Sequence, residues 1–404
     1  MIRLFITGVL LIFLLGSSCA ADRGFGDHLN SIVEPYLFNF GWWESRAIAH
    51  EINQWLCGKR EKIDDEIGVV TDYFSSTKRI KTIKQEIEAA NAGNRESDLA
   101  SIKAELNGLE EQRAALKETV ERIIERQIRN TLAEQGIFNP IVEVKIGFPP
   151  INFKLEKPPY LLVISPRDRI ESIREITLKP GLTLEERQEI EGRVDELDVS
   201  SLVVGLGGLG ATYPTFVTDD ASLKFTLHTS AEEWLHQYLV FKPLGFLYLL
   251  DLAGLARNYE IATMNETLAG IVSEEIGSMV YGKYYSEYEN SAEPEQETEP
   301  EFDFDGEMRA IRKAVDAYLA RGEIEQAEEF MEQKRQYLAS MGYYIRKLNQ
   351  AYFAFHGTYA DKPAFISPIG IELKELRAQS ASLKGFLDTV AAMTSRQDLK
   401  ESIK

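Results

Sequence analysis

Residues 228–239 read HTSAEEWLHQYL, and several of them could grip a cation. If 226–241 is one helix, His228, Glu232 and His236 stand at i, i+4 and i+8 and share a face. Glu233 lies about 100° round the helix from Glu232. Carboxylate oxygen and imidazole nitrogen are both donors to a divalent ion, and a spacing of one turn lets two side chains converge on it. The frame Glu232-Glu233-Trp234-Leu235-His236 differs in one place from HExxH. In that motif two ligands one turn apart hold zinc, and the Glu beside the first polarises water. A competing reading takes Thr229-Ser230-Ala231-Glu232 as a capping box, in which Glu232 only closes the start of a helix.

A second segment, MNETLAGIVSEEIG at 264–277, places Asn265-Glu266 at the opening of another helix. Together the two segments resemble the gluzincin metallopeptidases, of which thermolysin is the best-known member. In that family a following helix supplies a third ligand as the Glu of an NExxxD-type motif. Glu266 matches that Glu, while Gly270 stands where the supporting Asp would be. The stretch Tyr213–Val217 lies where such folds place an edge strand that pairs with an extended substrate. The resemblance covers about 158–282. It implies Glu232, His236 and Glu266 as metal ligands and Glu233 as general base, with zinc as Lewis acid. Two carboxylates and one imidazole put more negative charge on the ion, which should raise the pKa of its water and tilt the preference toward manganese. Recruiting His228 as a replacement nitrogen would shift the site by about 6 Å along the helix.

Other candidates carry weaker patterns. His356 and Tyr359, with Tyr352, could hold an oxyanion from a later segment; aromatic packing is the competing role. His50 begins HExxQ, half a motif inside a Trp-flanked stretch. Glu274 and Glu275 read as solvated charges or as supports for Glu266. Gly205, Gly207 and Gly210 formally satisfy GxGxxG, but they run into Ala211-Thr212-Tyr213-Pro214. That sequence cannot open the phosphate-binding helix the fingerprint needs, so a turn between strands is expected.

The elements that must position these residues follow from periodicity. Residues 1–21 read as a signal peptide: Arg3, an apolar run over Leu4–Leu15, then Gly16-Ser17-Ser18-Cys19-Ala20-Ala21. Cys19 there resembles a bacterial lipoprotein cleavage site, so lipidation at Cys19 and plain cleavage after Ala20 or Ala21 both stay open. An N-terminal helical segment is expected over 22–75, with an aromatic-faced helix at 32–57. Leu99, Ile102, Leu106, Leu109, Leu116, Val120 and Ile123 make a heptad stripe, interrupted by Arg113, on a long charged helix. With Ile80, Ile83 and Ile87 and a turn at 91–94, this predicts a helical hairpin over 76–135. Alternating β-branched residues predict short strands in 141–164 and a strand pair around 200–217; a polar helix is expected over 183–197. The peptidase-like domain would span 140–283. Residues 284–307 read as an acidic disordered linker, because 287–307 holds ten Asp or Glu and no Lys or Arg. A C-terminal helical region over 308–404 would end in one helix from 370 to 393. The expected class is α+β, mainly helical: a small mixed sheet plus active-site helices, with the long hairpin inserted.

Of the 404 residues, 44% are apolar and 27% charged, which fits a folded domain. A net charge of −19 argues against a nucleic-acid partner or an anionic membrane surface. With two cysteines in the chain, Cys19 and Cys57, a disulfide framework is excluded. The expectation is an exported, zinc- or manganese-dependent peptidase of the bacterial cell envelope acting on a peptide or protein. Membrane contact would come only through a signal or lipid anchor, and the hairpin is available for a partner or self-association. The alternative is an inactive peptidase-like domain serving as an envelope binding or scaffold protein.

Overall fold

A computed structural model describes residues 23–39, 65–92, 99–141, 145, 147–210, 212–291, 302–356 and 368–403. Residues 1–22, which include Cys19 and the expected signal peptide, lie outside the described residues, as do His50 and Tyr359. The fold is α+β and mainly helical. Its helices are α1 (Arg23–Val33), α2 (Glu66–Ala92), α3 (Leu99–Glu134), α4 (Leu184–Asp195), α5 (Leu223–Leu239), α6 (Pro243–Leu252) and α7 (Tyr259–Tyr284), then α8 (Ser286–Ser291), α9 (Phe304–Ala320), α10 (Ile324–Ser340), α11 (Gln350–His356), α12 (Ile369–Gln379), α13 (Leu383–Ala391) and α14 (Arg396–Ser402). Six short strands are β1 (Phe153–Leu155), β2 (Tyr160–Pro166), β3 (Arg174–Leu178), β4 (Val199–Gly205), β5 (Gly208–Leu209) and β6 (Thr215–Val217). No helix among the described residues is long and apolar enough to cross a membrane.

α7 is the axis of the larger core. Ile261 through Ser273 are buried without interruption, so the helix is covered on every side, as a central helix must be. It packs against α3, α5, α6 and the three C-terminal helices α12–α14. α2 and α3 form an antiparallel pair: Glu66 meets Arg126 near the base, and Lys84 meets Glu110 at 2.8 Å further out. The heptad stripe sinks into this core toward the base, where Val120, Ile123, Ile124 and Ile128 are almost fully buried. Arg113, the polar residue in that stripe, donates to the carbonyl oxygen (3.0 Å) and carboxylate (3.4 Å) of Asp219 after β6. The base of the hairpin is therefore part of the core, and α2 begins at Glu66, earlier than the periodicity predicts.

The strands make two sheets. One is antiparallel in the order β3-β2-β4, with Leu162 opposite both Ile176 and Val203. One face packs Leu162, Ile164 and Leu178 against α1 and α4; the other sets Val163 and Leu202 against Ala351 of α11. The second sheet runs β1-β6-β5, with β1 parallel and β5 antiparallel to β6. The stretch expected as an edge strand is thus the central strand, and the open edge belongs to β5. On the far side of β1, the N–H groups of Phe153 and Leu155 donate to Glu125 (3.1 Å) and Glu121 (2.8 Å) of α3, which satisfies donors that no strand reaches.

Three further expectations change. α1 stops at Val33, a 3-10 turn containing Pro35 follows, and Leu37 bridges to Leu178, so no helix starts at 32; the remainder of 32–57 lies outside the described residues. The last helix is divided at Ser380, because Ser382 caps a new one by accepting the N–H of Gly385 at 3.0 Å. The C-terminal region is also shared between two cores. α9 and α10 form their own cluster beside the three-stranded antiparallel sheet, joined to it by Arg167 with Glu328 and Arg346 with buried Glu191, whereas α12–α14 pack on α7.

Candidate metal centre

Ser222 starts α5 by accepting the N–H of Phe225 at 3.3 Å, so Glu232 lies in mid-helix and the capping-box reading fails. α5 then packs along α7 more extensively than along any other helix. At their crossing a Cβ on Gly277 would come within 3.1 Å of the His228 backbone, so the two helices are in close contact there. This crossing brings Glu232, His236 and Glu266 together: one ligating atom from each lies within 4.8 Å of the others. Among the described residues this is the group able to hold a metal ion.

The neighbours of the trio fix its geometry. Nε2 of His236 is 3.7 Å from Oε2 of Glu266. Tyr248 of α6 donates its hydroxyl to Oε1 of Glu266, and its ring lies 6.2 Å from the His236 ring. Oε2 of Glu266 is buried and has no hydrogen-bond partner among the described residues. Asn265 sets its Nδ2 3.3 Å from Nδ1 of His236, which leaves its own Oδ1 buried without a partner. The opposite amide orientation fills the same space; it puts Oδ1 against a protonated Nδ1 and turns the lone pair of Nε2 toward Glu266. In that orientation Asn265 would fix the His236 ring, while Gly270 stands where the resemblance places an Asp. The carbonyl oxygen of Gly270 instead faces Nε2 of His228 at 3.4 Å, which puts His228 outside the trio.

Glu233 points under β5. A Cβ on Gly208 would stand 2.3 Å from its Oε1, and one on Gly210 2.7 Å from its Oε2. The glycines that run from β4 into β5 thus permit a close approach of backbone to carboxyl. Burial pushes the Glu233 carboxyl well above the usual carboxylate range, and the nearby charges of Glu232 and Glu266 push the same way, against the Gly210 N–H bond. Glu175 of β3 belongs to the same neighbourhood. It accepts the Ser172 hydroxyl at 2.8 Å, and its carboxyl is raised by desolvation first; the Ser172 bond and Arg257 oppose the shift, and Glu266 and Asp251 add to it. Its surface is nevertheless exposed.

The remaining predicted residues lie elsewhere. His356 ends α11, its ring 4.3 Å from Tyr352 and 5.0 Å from Phe355, an aromatic packing arrangement. Glu275 is paired with Arg377 of α12 at 2.7 and 2.8 Å and ties two helices together rather than supporting Glu266. Sequence reasoning missed Tyr248 and Glu175. Tyr248 had one signal, a lone hydroxyl in a run, PLGFLYLLDL, that is apolar but for it and Asp251. No known protein family, no curated protein and no solved structure matches the chain.

Proposed function

We propose that the protein is a metal-dependent peptidase of the cell envelope, exported by its N-terminal leader. The observation that carries this reading is Oε2 of Glu266, a buried carboxylate oxygen with no partner among the described residues, set against His236 and within reach of Glu232. Leaving such an atom unsatisfied costs about 1–3 kcal/mol or more, and a cation removes that cost. The donor set of two carboxylates and one imidazole suits zinc and also manganese. A divalent ion there supplies Lewis acidity for a carbonyl and lowers the pKa of water.

The chain's own residues have separable roles in this reading. Tyr248 and Asn265 hold Glu266 and His236 in place. With a cation on the trio offsetting the charges of Glu232 and Glu266 that help to hold its carboxyl up, Glu233 can take a proton from water beneath β5 and pass it to the leaving amine. The open edge of β5 lies over Glu233, where an extended peptide could add a strand. The pairing of EExxH with the NE helix, similar to that of the gluzincins, gives the reaction class.

The test is metal content. Purified protein should hold one equivalent of zinc or manganese, Glu266→Ala should hold none, and the loaded protein should cleave peptides while Glu233→Gln should not. A protein that takes up neither metal would overturn the reading. One that binds metal and cleaves nothing would favour the inactive scaffold.

A further inference from the structure

A cavity of about 360 Å³ opens between the ends of the two sheets, and none of the trio lines it. Tyr160 at the start of β2 and Gly205 at the end of β4 stand opposite each other in register, and both line it. Gly207 on the way into β5, Thr218 and Asp220 just after β6, and Lys157 in the β1–β2 connection complete the wall. The volume is that of a small-ligand site.

Much of that wall is main chain and one aromatic ring. A Cβ on Gly205 would meet the Tyr160 ring at 3.6 Å, so the ring lies along bare backbone. A Cβ on Gly207 would stand 2.6 Å from the Phe225 ring, and the Gly207 carbonyl accepts the N–H of Thr218 at 2.9 Å, which fixes this part of the wall. Arg187 of α4 sets its guanidinium 5.2 Å from the centroid of Tyr160 and holds the ring in place. The polar groups carry both signs. Asp220 accepts the Thr218 hydroxyl at 2.5 Å and keeps most of its lone pairs. Lys157 forms no ion pair among the described residues, and the adjacent Glu156 is taken by Lys117 at 3.6 Å.

This set of groups narrows the ligand. Asp220 repels a bare anion, Lys157 repels a bare cation, and both charges disfavour a wholly apolar guest. A hydroxyl donates and accepts at once, so a ring carrying several of them satisfies a donor-only lysine and an acceptor-only carboxylate together. The apolar face of such a ring also covers an aromatic side chain. We infer that the cavity is a saccharide-binding site, in which one sugar ring lies on Tyr160 with its hydroxyls on Lys157, Asp220 and Thr218. A zwitterionic amino acid would engage the two charges and leave the Tyr160 ring and most of the volume uncovered. The inference is independent of the peptidase reading, because no residue of the trio lines the cavity.

The test is isothermal titration calorimetry of the purified protein with neutral trisaccharides, using chitotriose, maltotriose and cellotriose as probes. At least one should bind at millimolar concentration or below. Lys157→Met and Asp220→Asn should each weaken it at least fivefold, the effect of losing a hydrogen bond to a charged group. Both side chains are exposed, so neither change threatens the fold. Gly205→Leu, whose Cβ has room at 3.6 Å from its nearest neighbour, should fill the cavity and abolish binding. Glu266→Ala should bind the sugar with native affinity, so that failure of the metal reading leaves this one standing. Absence of binding by all three probes overturns the inference, and so does native affinity in the Lys157, Asp220 and Gly205 variants. Tighter binding of glycylglycine than of any trisaccharide, lost in Lys157→Met, would make the cavity a zwitterion site and overturn it as well. Loss of sugar binding in Glu266→Ala would place the sugar at the metal centre, with the same result.

Discussion

Asn265 faces Nδ1 of His236 across 3.3 Å, from the helix that also carries Glu266. Two adjacent residues of α7 thus supply a candidate ligand and a contact to another. Fixing an imidazole by its far nitrogen typically changes metal affinity 10–100-fold. Asn265→Ala should weaken zinc or manganese binding by about that factor. Asn265→Asp, which accepts from Nδ1–H more strongly, should bind at least as tightly as the native protein. Competition against a chromophoric chelator measures both; an alanine variant with native affinity would show that the contact orients nothing.

Glu266→Gln separates stability from metal binding. Without metal, the native carboxylate leaves Oε2 unpartnered, whereas a neutral amide is cheaper to bury, so the variant should match or exceed native stability by about 1 kcal/mol. With metal at about 100 times its Kd, the native protein should gain about 2.7 kcal/mol and the variant nothing. Thermal melts with and without metal give both numbers. Equal metal-induced shifts in the two proteins would remove Glu266 from the site.

Gly208 and Glu233 test the role of β5. A methyl group at position 208 would sit 2.3 Å from Oε1 of Glu233, so strand or carboxyl must move. Gly208→Ala should cost about 1–3 kcal/mol of stability. It should lower kcat for peptide cleavage at least tenfold while metal content stays at the native level. A fall in metal content equal to the fall in kcat would mean that β5 supports the trio rather than Glu233.

The trio was legible because its spacing is local. Glu232 and His236 are one turn apart on any helix through 226–241, and the pattern at Asn265-Glu266 announces a second helix, although that helix begins earlier, at Tyr259 behind the Asn258 cap, and carries Asn265-Glu266 in its interior. What stayed hidden depends on partners distant in sequence. β6 reads as a strand from its residues, yet only β1, some sixty positions upstream in register, makes it central and hands the open edge to β5. The glycines of 205–210 announce a turn but not that a carboxyl lies beneath them. Arg113 looks like a flaw in a heptad stripe until Asp219 is found opposite it. Tyr248 reaches Glu266 from a helix whose composition predicts only burial, and Glu275 finds Arg377 across more than a hundred residues.

Glu125 gives a pH dependence away from the metal centre. It accepts the N–H of Phe153 at 3.1 Å. Burial pushes its carboxyl up from 4.5 to about 8; the Phe153 N–H, Lys154 and Arg129 oppose this, and Glu121 adds to it. The folded value lies above the unfolded one, so the folded chain retains a proton that the unfolded chain has lost. Stability from this group is therefore present below about 4.5, declines as pH rises toward about 8, and levels off beyond. Glu125→Gln keeps an oxygen acceptor for Phe153 and removes the titration. It should equal the native protein near pH ~4 and exceed it by about 2 kcal/mol near pH ~9, roughly half of what the full shift would give once charges relax. Urea unfolding midpoints for both proteins across that range test the sign. A difference that shrinks as pH rises would mean that Lys154 holds Glu125 ionised, and that the carboxylate stabilises the edge of β1 instead of straining it.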